Sequence, residues 1–84
     1  MLMAAINQGD EKAVRAALRA GASIQQRDEQ GRTALMLAAR LGASDVVHAL
    51  VAAGARKSDR DPRGWTAADH AEAAGRVELV DLLR

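Results

Sequence analysis

A shift of 33 residues maps this chain onto itself. Asp28 recurs as Asp61, Gly31 as Gly64, Thr33 as Thr66 and Ala34 as Ala67. Ala38 recurs as Ala71, Gly42 as Gly75, Val47 as Val80 and Leu50 as Leu83. The same step runs backwards, from Gly54 to Gly21, Ala55 to Ala22, Gly42 to Gly9, Ala38 to Ala5 and Val47 to Val14. A fixed period of this length marks supersecondary units that cannot bury an apolar face alone and therefore stack on one another. The register divides residues 1–84, a single domain, into repeat 1 (1–25), repeat 2 (26–58) and repeat 3 (59–84).

The unit has a physical reading. Asp28-Glu29-Gln30-Gly31 is turn chemistry: Asp bonds its own backbone, and Gly supplies a positive φ. Thr33 then serves as N-cap for a helix through Ala34-Leu35-Met36-Leu37-Ala38-Ala39. Gly42 ends that helix, and a second runs from about Ser44 to Ala53. Its apolar stripe is Val46, Val47, Leu50 and Val51, and Gly54 closes it from the C′ position. Each unit is thus a turn, a short helix, a glycine break, a second helix and a glycine stop.

This pattern resembles the ankyrin repeat, whose signature is D-x-x-G-x-T-P-L-H-x-A-A-x-x-G-x-x-x-V-V-x-x-L-L-x-x-G-A. Repeat 2 follows it from Asp28 to Ala55, repeat 3 from Asp61 to Leu83, and repeat 1 in part from Ala4 to Ala22. The resemblance implies an all-α solenoid of three helix pairs joined by two β-hairpin-like loops. Departures from the signature have consequences. Ala34 and Ala67 replace a proline that pre-sets φ at the first helical position. Met36 and Asp69 replace a histidine that in the family ties hairpin to helix, so that network is expected to be absent or rebuilt. Thr66 and Asp69 read as a capping box, whereas Met36 is expected only to pack. Ala68 replaces a core leucine and thins the last layer.

Apolar residues make up 49% of the chain, but alanine is the largest part of them and there is one aromatic residue. Alanine lets helices approach closely without filling a large core, which suits thin stacked layers and yields a stability of about a few kcal/mol. Repeat 1 lacks its tip, and Met1, Leu2, Met3 and Ile6 make an apolar start with no polar cap. That open end fits a piece of a longer array, a small complete protein, or a face that pairs with another chain. Glu72, Arg76, Glu78, Asp81 and Arg84 instead give repeat 3 the polar outside of a capping repeat. The apolar start has no basic region before it and is interrupted by Asn7, Gln8 and Gly9, so it does not read as a targeting signal. No stretch reaches transmembrane length. The absence of cysteine excludes disulfides and thiolate chemistry and is compatible with a cytoplasmic, intracellular setting.

The inventory for catalysis is thin. His48 and His70 are the only histidines, and neither has a partner at metal-ligand spacing. His48 reads as a surface residue of the second helix, His70 as a packing residue of the inner helix. Ser23, Ser44 and Ser58 fall at helix ends and linkers, where capping and turns account for them. The glycines are isolated and form no phosphate loop. No nucleophile, base and orienting group assemble, so the chain reads as a non-enzyme with no cofactor and no metal.

What the resemblance implies instead is partner binding by the concave face, where hairpin tips and first helices line a groove. Carried over by position, the variable tip sites are Glu29, Gln30 and Arg32, then Pro62, Arg63 and Trp65. The variable inner-helix sites are Asn7 and Gln8, Arg40 and Leu41, and Ala73 and Ala74. Arg32 and Trp65 occupy one position in successive repeats, expected roughly 10 Å apart. Trp65 is the leading candidate contact, because Trp and Arg are the residue types enriched in binding hot spots. Alternatively, the indole folds over the neighbouring hairpin and covers Arg32 or Ala68.

Arg56, Lys57, Arg60 and Arg63, against Asp59 and Asp61, make one locally basic loop. It reads as a solvated loop, or as one that steers an acidic segment into the groove. With a net charge of +1 and no aromatic interleaving, nucleic acid is not an expected partner, nor is a membrane. Glu11 and Arg15 form an i,i+4 pair. The expected function is therefore a protein–protein interaction module, monomeric, with another protein as partner. The alternative is an end-piece or self-assembling element that uses the face of Met1, Leu2, Met3 and Ile6.

Overall fold

The computed structural model describes residues 2–84. Its helices, in chain order, are α1 (Leu2–Asn7), α2 (Glu11–Arg19), α3 (Ala34–Leu41), α4 (Ser44–Ala52), α5 (Ala67–Ala73) and α6 (Val77–Leu83). The first helices of successive repeats pack in a row, α1 on α3 and α3 on α5. Each is backed by its own second helix, and α2 lies against α4. The result is the expected all-α stack of three helix pairs, 30 × 24 × 20 Å. Among the described residues no strand forms; the hairpin character of the loops is reduced to one isolated bridge between Arg27 and Thr33.

Helices this short are marginal in isolation, so caps and packing hold them. Asp10 caps α2 by accepting from Ala13 N–H at 3.1 Å. Glu11 in its first turn and Arg19 in its last complement the helix dipole. The expected Glu11–Arg15 pair forms at 2.6 Å. Thr66 and Asp69 form the expected capping box on α5. On α3 the expectation for Met36 is corrected: besides being fully buried, it completes a capping box of its own. Its Sδ accepts from Thr33 N–H at 3.4 Å while Thr33 Oγ1 accepts from Met36 N–H at 3.3 Å. A thioether is a weak acceptor, but it satisfies an N–H that would otherwise be buried without a partner. Ser44 is likewise corrected. It is the first residue of α4, the N-cap position belongs to Ala43, and no side chain caps that helix.

The core runs along the stack as Ile6, Val14, Leu35, Met36, Val46, Val47, Leu50, Leu79 and Leu83. Ala34, Ala38, Ala67 and Ala71 are buried on the inner row, where a single methyl lets α3 and α5 approach closely. Leu2 and Ile6 belong to this core, at 2% and 0% exposure. The expected apolar N-terminal docking face is therefore corrected: two of its four residues point into α1's own packing partners, Met3 is half-buried, and Met1 lies outside the described residues. The outer residues of repeat 3, Glu72, Arg76, Glu78, Asp81 and Arg84, are exposed as expected.

Gly42 is the C-cap of α3, with φ +72°. A Cβ there would also meet Arg76 Nε at 2.6 Å, but that is the far end of a flexible side chain and can move. The cost of a side chain at Gly42 is thus backbone strain. Gly42→Ala is expected to lose about 1–2 kcal/mol in urea unfolding. Adding Arg76→Ala should recover little of that loss.

The tips of repeats 2 and 3 are clamped together by Arg27. Its Nη1 donates to the Gly31 carbonyl at 2.7 Å and to the Arg60 carbonyl, one repeat on, at 2.8 Å. Pro62 rests on the backbone of Gly31, its Cγ and Cδ 2.8 Å from where a Cβ would stand. Only glycine allows the second tip to come that close.

Candidate functional site

Both tips are built by an aspartate. In repeat 2 the Asp28 N–H donates to the Arg32 carbonyl and the Gly31 N–H donates back to the Asp28 carbonyl. Asp28 Oδ1 then accepts from the Gln30 and Arg32 N–H groups at 2.9 and 2.8 Å. Repeat 3 copies this with Asp61, whose Oδ1 accepts from the Arg63 and Trp65 N–H groups, each at 2.9 Å. One carboxylate oxygen thus fixes the backbone of each tip, and the variable residues project from a rigid turn.

The second oxygen distinguishes the repeats. Asp28 Oδ2 accepts from Arg32 Nε at 3.0 Å, and Arg32 Nη2 donates to Gln30 Oε1 at 3.2 Å. Arg32 is consequently held down, its side chain 21% exposed. Asp61 Oδ2 is instead paired with His70 Nε2 at 2.9 Å, in a contact where both side chains are buried. An ionised carboxylate only accepts, so Nε2 carries the proton of that bond. The hairpin-to-helix tie that Asp69 cannot make is therefore rebuilt one residue later, by His70. Leu37, the matching residue of repeat 2, is a buried apolar side chain. The reading of His70 as packing is right as far as it goes, but it misses this bond.

Above His70 lies Trp65. The two rings meet edge to face, centroids 5.3 Å apart at 61°. On the indole sits Arg63, its Cζ 4.4 Å from the ring centroid. Trp65 is half-buried, with His70 edge-on against its ring and Arg63 stacked on it. Arg63 remains 66% exposed, with only a loose 3.9 Å approach to Asp61. A cation–π platform orients a guanidinium while leaving its N–H edge free.

Between the tips is a cleft of about 300 Å³, lined by Gln30, Arg32, Asp61, Pro62 and Arg63. Four of the eight expected site residues therefore line one cleft, two from each tip. Trp65 stands behind it as the support of Arg63. Glu29 is exposed on tip 2 but does not line the cleft. Arg40 and Leu41 are exposed at the far end of α3, Leu41 at 45%, and belong with Gln8 and Ala74 on the helix ends rather than with the tips. In the basic loop Arg56 is partly neutralised by Asp59 at 3.6 Å, while Arg60 keeps its charge and donates Nη1 to the Gly64 carbonyl. His48 is exposed, as expected. Among the described residues no group of three or more His, Cys, Asp and Glu side chains is placed to hold a metal ion.

Both tip aspartates titrate low. Burial pushes the Asp28 carboxyl up, but the Arg32 backbone and guanidinium bonds, the Arg32 charge and the Gln30 N–H outweigh it and hold it below 3.8. Burial likewise raises Asp61, and the Trp65 N–H, His70 and the Arg63 N–H together carry it below 3.8. A carboxyl depressed by folding contributes stability that is present above its unfolded pKa and lost as pH falls through the folded one. The thermal midpoint is expected to fall as pH drops below 3.8, with a shallower fall in Asp61→Asn. Thermal melts at stepped pH check this.

No helix among the described residues is long and apolar enough to cross a membrane. Among curated proteins no relative matches the chain. The family described as ankyrin repeats (3 copies) matches it over residues 1–84, so the chain belongs to the ankyrin-repeat family.

Proposed function

We propose that this chain, a non-catalytic member of a family whose repeats are generally protein–protein interaction modules, binds an extended, acidic segment of a partner protein along its two tips. The observation that carries this reading is the cleft in which Arg32 and Arg63 converge, one locked by Asp28 and the other stacked on Trp65. Two pre-oriented guanidinium groups, Arg32 with only the N–H groups left over from Asp28 and Gln30, face a carboxylate at little entropic cost. Pro62 and the Gln30 side chain supply an apolar edge and an amide beside them. Arg40, Leu41 and Glu29 would meet only a partner that reaches past the cleft. The setting proposed with this function is cytoplasmic, in keeping with the cysteine-free sequence.

Trp65→Ala removes the platform without touching the caps or the core. It is expected to leave the helical circular dichroism intact and weaken binding of an acidic tip-binding peptide about tenfold. Unchanged affinity would take Trp65 out of the site.

Self-assembly through α1 is the second reading. Leu2 and Ile6 are committed to the core, and what remains is a hollow of about 460 Å³ bordered by Leu2, Ala17, Ala20, Gly21 and Ala22. The chain is proposed to be monomeric, and light scattering over a concentration series tests this.

A further inference from the structure

The two tips differ in the charge that faces the second oxygen of each aspartate. In tip 2, Asp28 Oδ2 meets Arg32 Nε at 3.0 Å, and a guanidinium charge is permanent. In tip 3, Asp61 Oδ2 meets His70 Nε2 at 2.9 Å. Histidine is the side chain that gains or loses its charge between pH 5 and 8. Nε2 donates to Asp61 in both forms, so a second proton goes to Nδ1 and the tip keeps its geometry. Burial pushes the Asp61 carboxyl up, but the Trp65 N–H, His70 and the Arg63 N–H hold it below 3.8, so it stays ionised throughout. The imidazole also lies edge-on against the indole that carries Arg63. Asp61 lines the cleft with Arg32 and Arg63. With Asp28 on Arg32 and Asp61 beside Arg63, these four charges cancel while His70 is neutral. Other charges on the elements around the ring are exposed: Arg40 on α3, Asp69 and Glu72 on α5, Glu78 and Asp81 on α6, and Arg60 before the tip. Arg27 is engaged by the Gly31 and Arg60 carbonyls.

We infer that the tip cleft takes up its acidic segment together with a proton, held on His70 Nδ1, so that its affinity rises as pH falls. This inference rests on the acidic-segment reading of the cleft. The proton comes from solvent and leaves the cleft with a net positive charge. By linkage the coupling is reciprocal: carboxylates bound beside Asp61 favour the charged imidazole as much as it favours them. The Asp61 charge cannot be given up instead, because its other oxygen holds the Arg63 and Trp65 N–H groups. Repeat 2 has no such device, since Leu37 stands at the matching position.

The test is isothermal titration calorimetry with acetyl-Glu-Asp-Glu-Asp-Glu-amide, whose side chains are ionised at about pH 5.5 and above. Affinity is expected to be about fivefold higher at about pH 5.5 than at about pH 7.5. Between those values, the heat of binding is expected to differ in two buffers of unlike ionisation enthalpy, as proton uptake requires. His70→Gln keeps an N–H donor for Asp61 but cannot charge. It is expected to bind with an affinity that no longer changes with pH and with a heat that no longer depends on the buffer. Slow amide exchange at Arg63 and Trp65 reports that its tip is still formed. If the tip loosens, proton uptake by the parent and by His48→Gln decides, because His48 is exposed on α4 and its loss should change nothing. Equal affinity at both pH values overturns the inference, as does pH dependence that persists in His70→Gln with its tip formed. Either result leaves the acidic-segment reading standing if Arg32→Ala/Trp65→Ala still weakens binding. A peptide that does not bind, or that binds the double variant like the parent, overturns both.

Discussion

Leu50→Ala is expected to leave most of the chain unfolded at room temperature. Leu50 is fully buried in α4, within the core that joins the helix pairs. Truncating a leucine there costs the transfer free energy of the lost methylenes and the cavity left behind, together about 2–5 kcal/mol. A chain of this length with one aromatic residue has about that much stability in total. The loss also falls on the middle layer, which supports both neighbours, so the ends have nothing left to stack on. Leu41→Ala is the control. Leu41 is 45% exposed, and its truncation should change stability by less than about 0.5 kcal/mol. Urea unfolding followed by circular dichroism compares the two. A Leu50→Ala chain with the parent's midpoint would mean that the repeats do not depend on one shared core.

Asp61→Ala is expected to unlock tip 3 while leaving α1 to α4 in place. The Arg63 and Trp65 N–H groups lose their shared acceptor, and His70 loses the partner of its buried Nε2. Exchange of those two amide hydrogens is expected to accelerate at least about tenfold, as when a hydrogen bond to a charged acceptor is lost. The indole then has no fixed floor, and Arg63 loses its orientation. Binding at the cleft should fall even though every cleft cation is still present. If exchange at Arg63 and Trp65 stays slow, the tip is held by something other than this carboxylate.

The register of the stack was open to reading because backbone chemistry is local. Asp28 with Gly31, Thr33 at a helix start, and Gly42 and Gly54 at helix ends each impose their conformation within four residues. Their recurrence 33 residues apart then fixes which helices face each other. Contacts decided by more distant partners were not open in the same way. Leu2 and Ile6 look like an exposed apolar face until α2 and α3 are packed around α1. Met36 looks like filler until its sulfur is seen at the Thr33 N–H.

The candidate site divides along the same line. Its tip residues follow from the repeat register, so Gln30, Arg32, Pro62 and Arg63 come together as the resemblance implies. The partner of Trp65 does not follow from register, since the residue beneath it is a histidine in repeat 3 where repeat 2 has Leu37. A histidine displaced by one position from where the family carries its own, nine residues after the turn aspartate, was the available signal for the Asp61–His70 bond.

The most direct measurement of the central claim is a selection of random extended peptides on the folded chain, each winner then measured on Arg32→Ala/Trp65→Ala. The account predicts winners rich in Asp and Glu that bind the double variant at least about tenfold more weakly. Winners without acidic character, or winners that bind parent and double variant alike, would contradict binding at the paired tips.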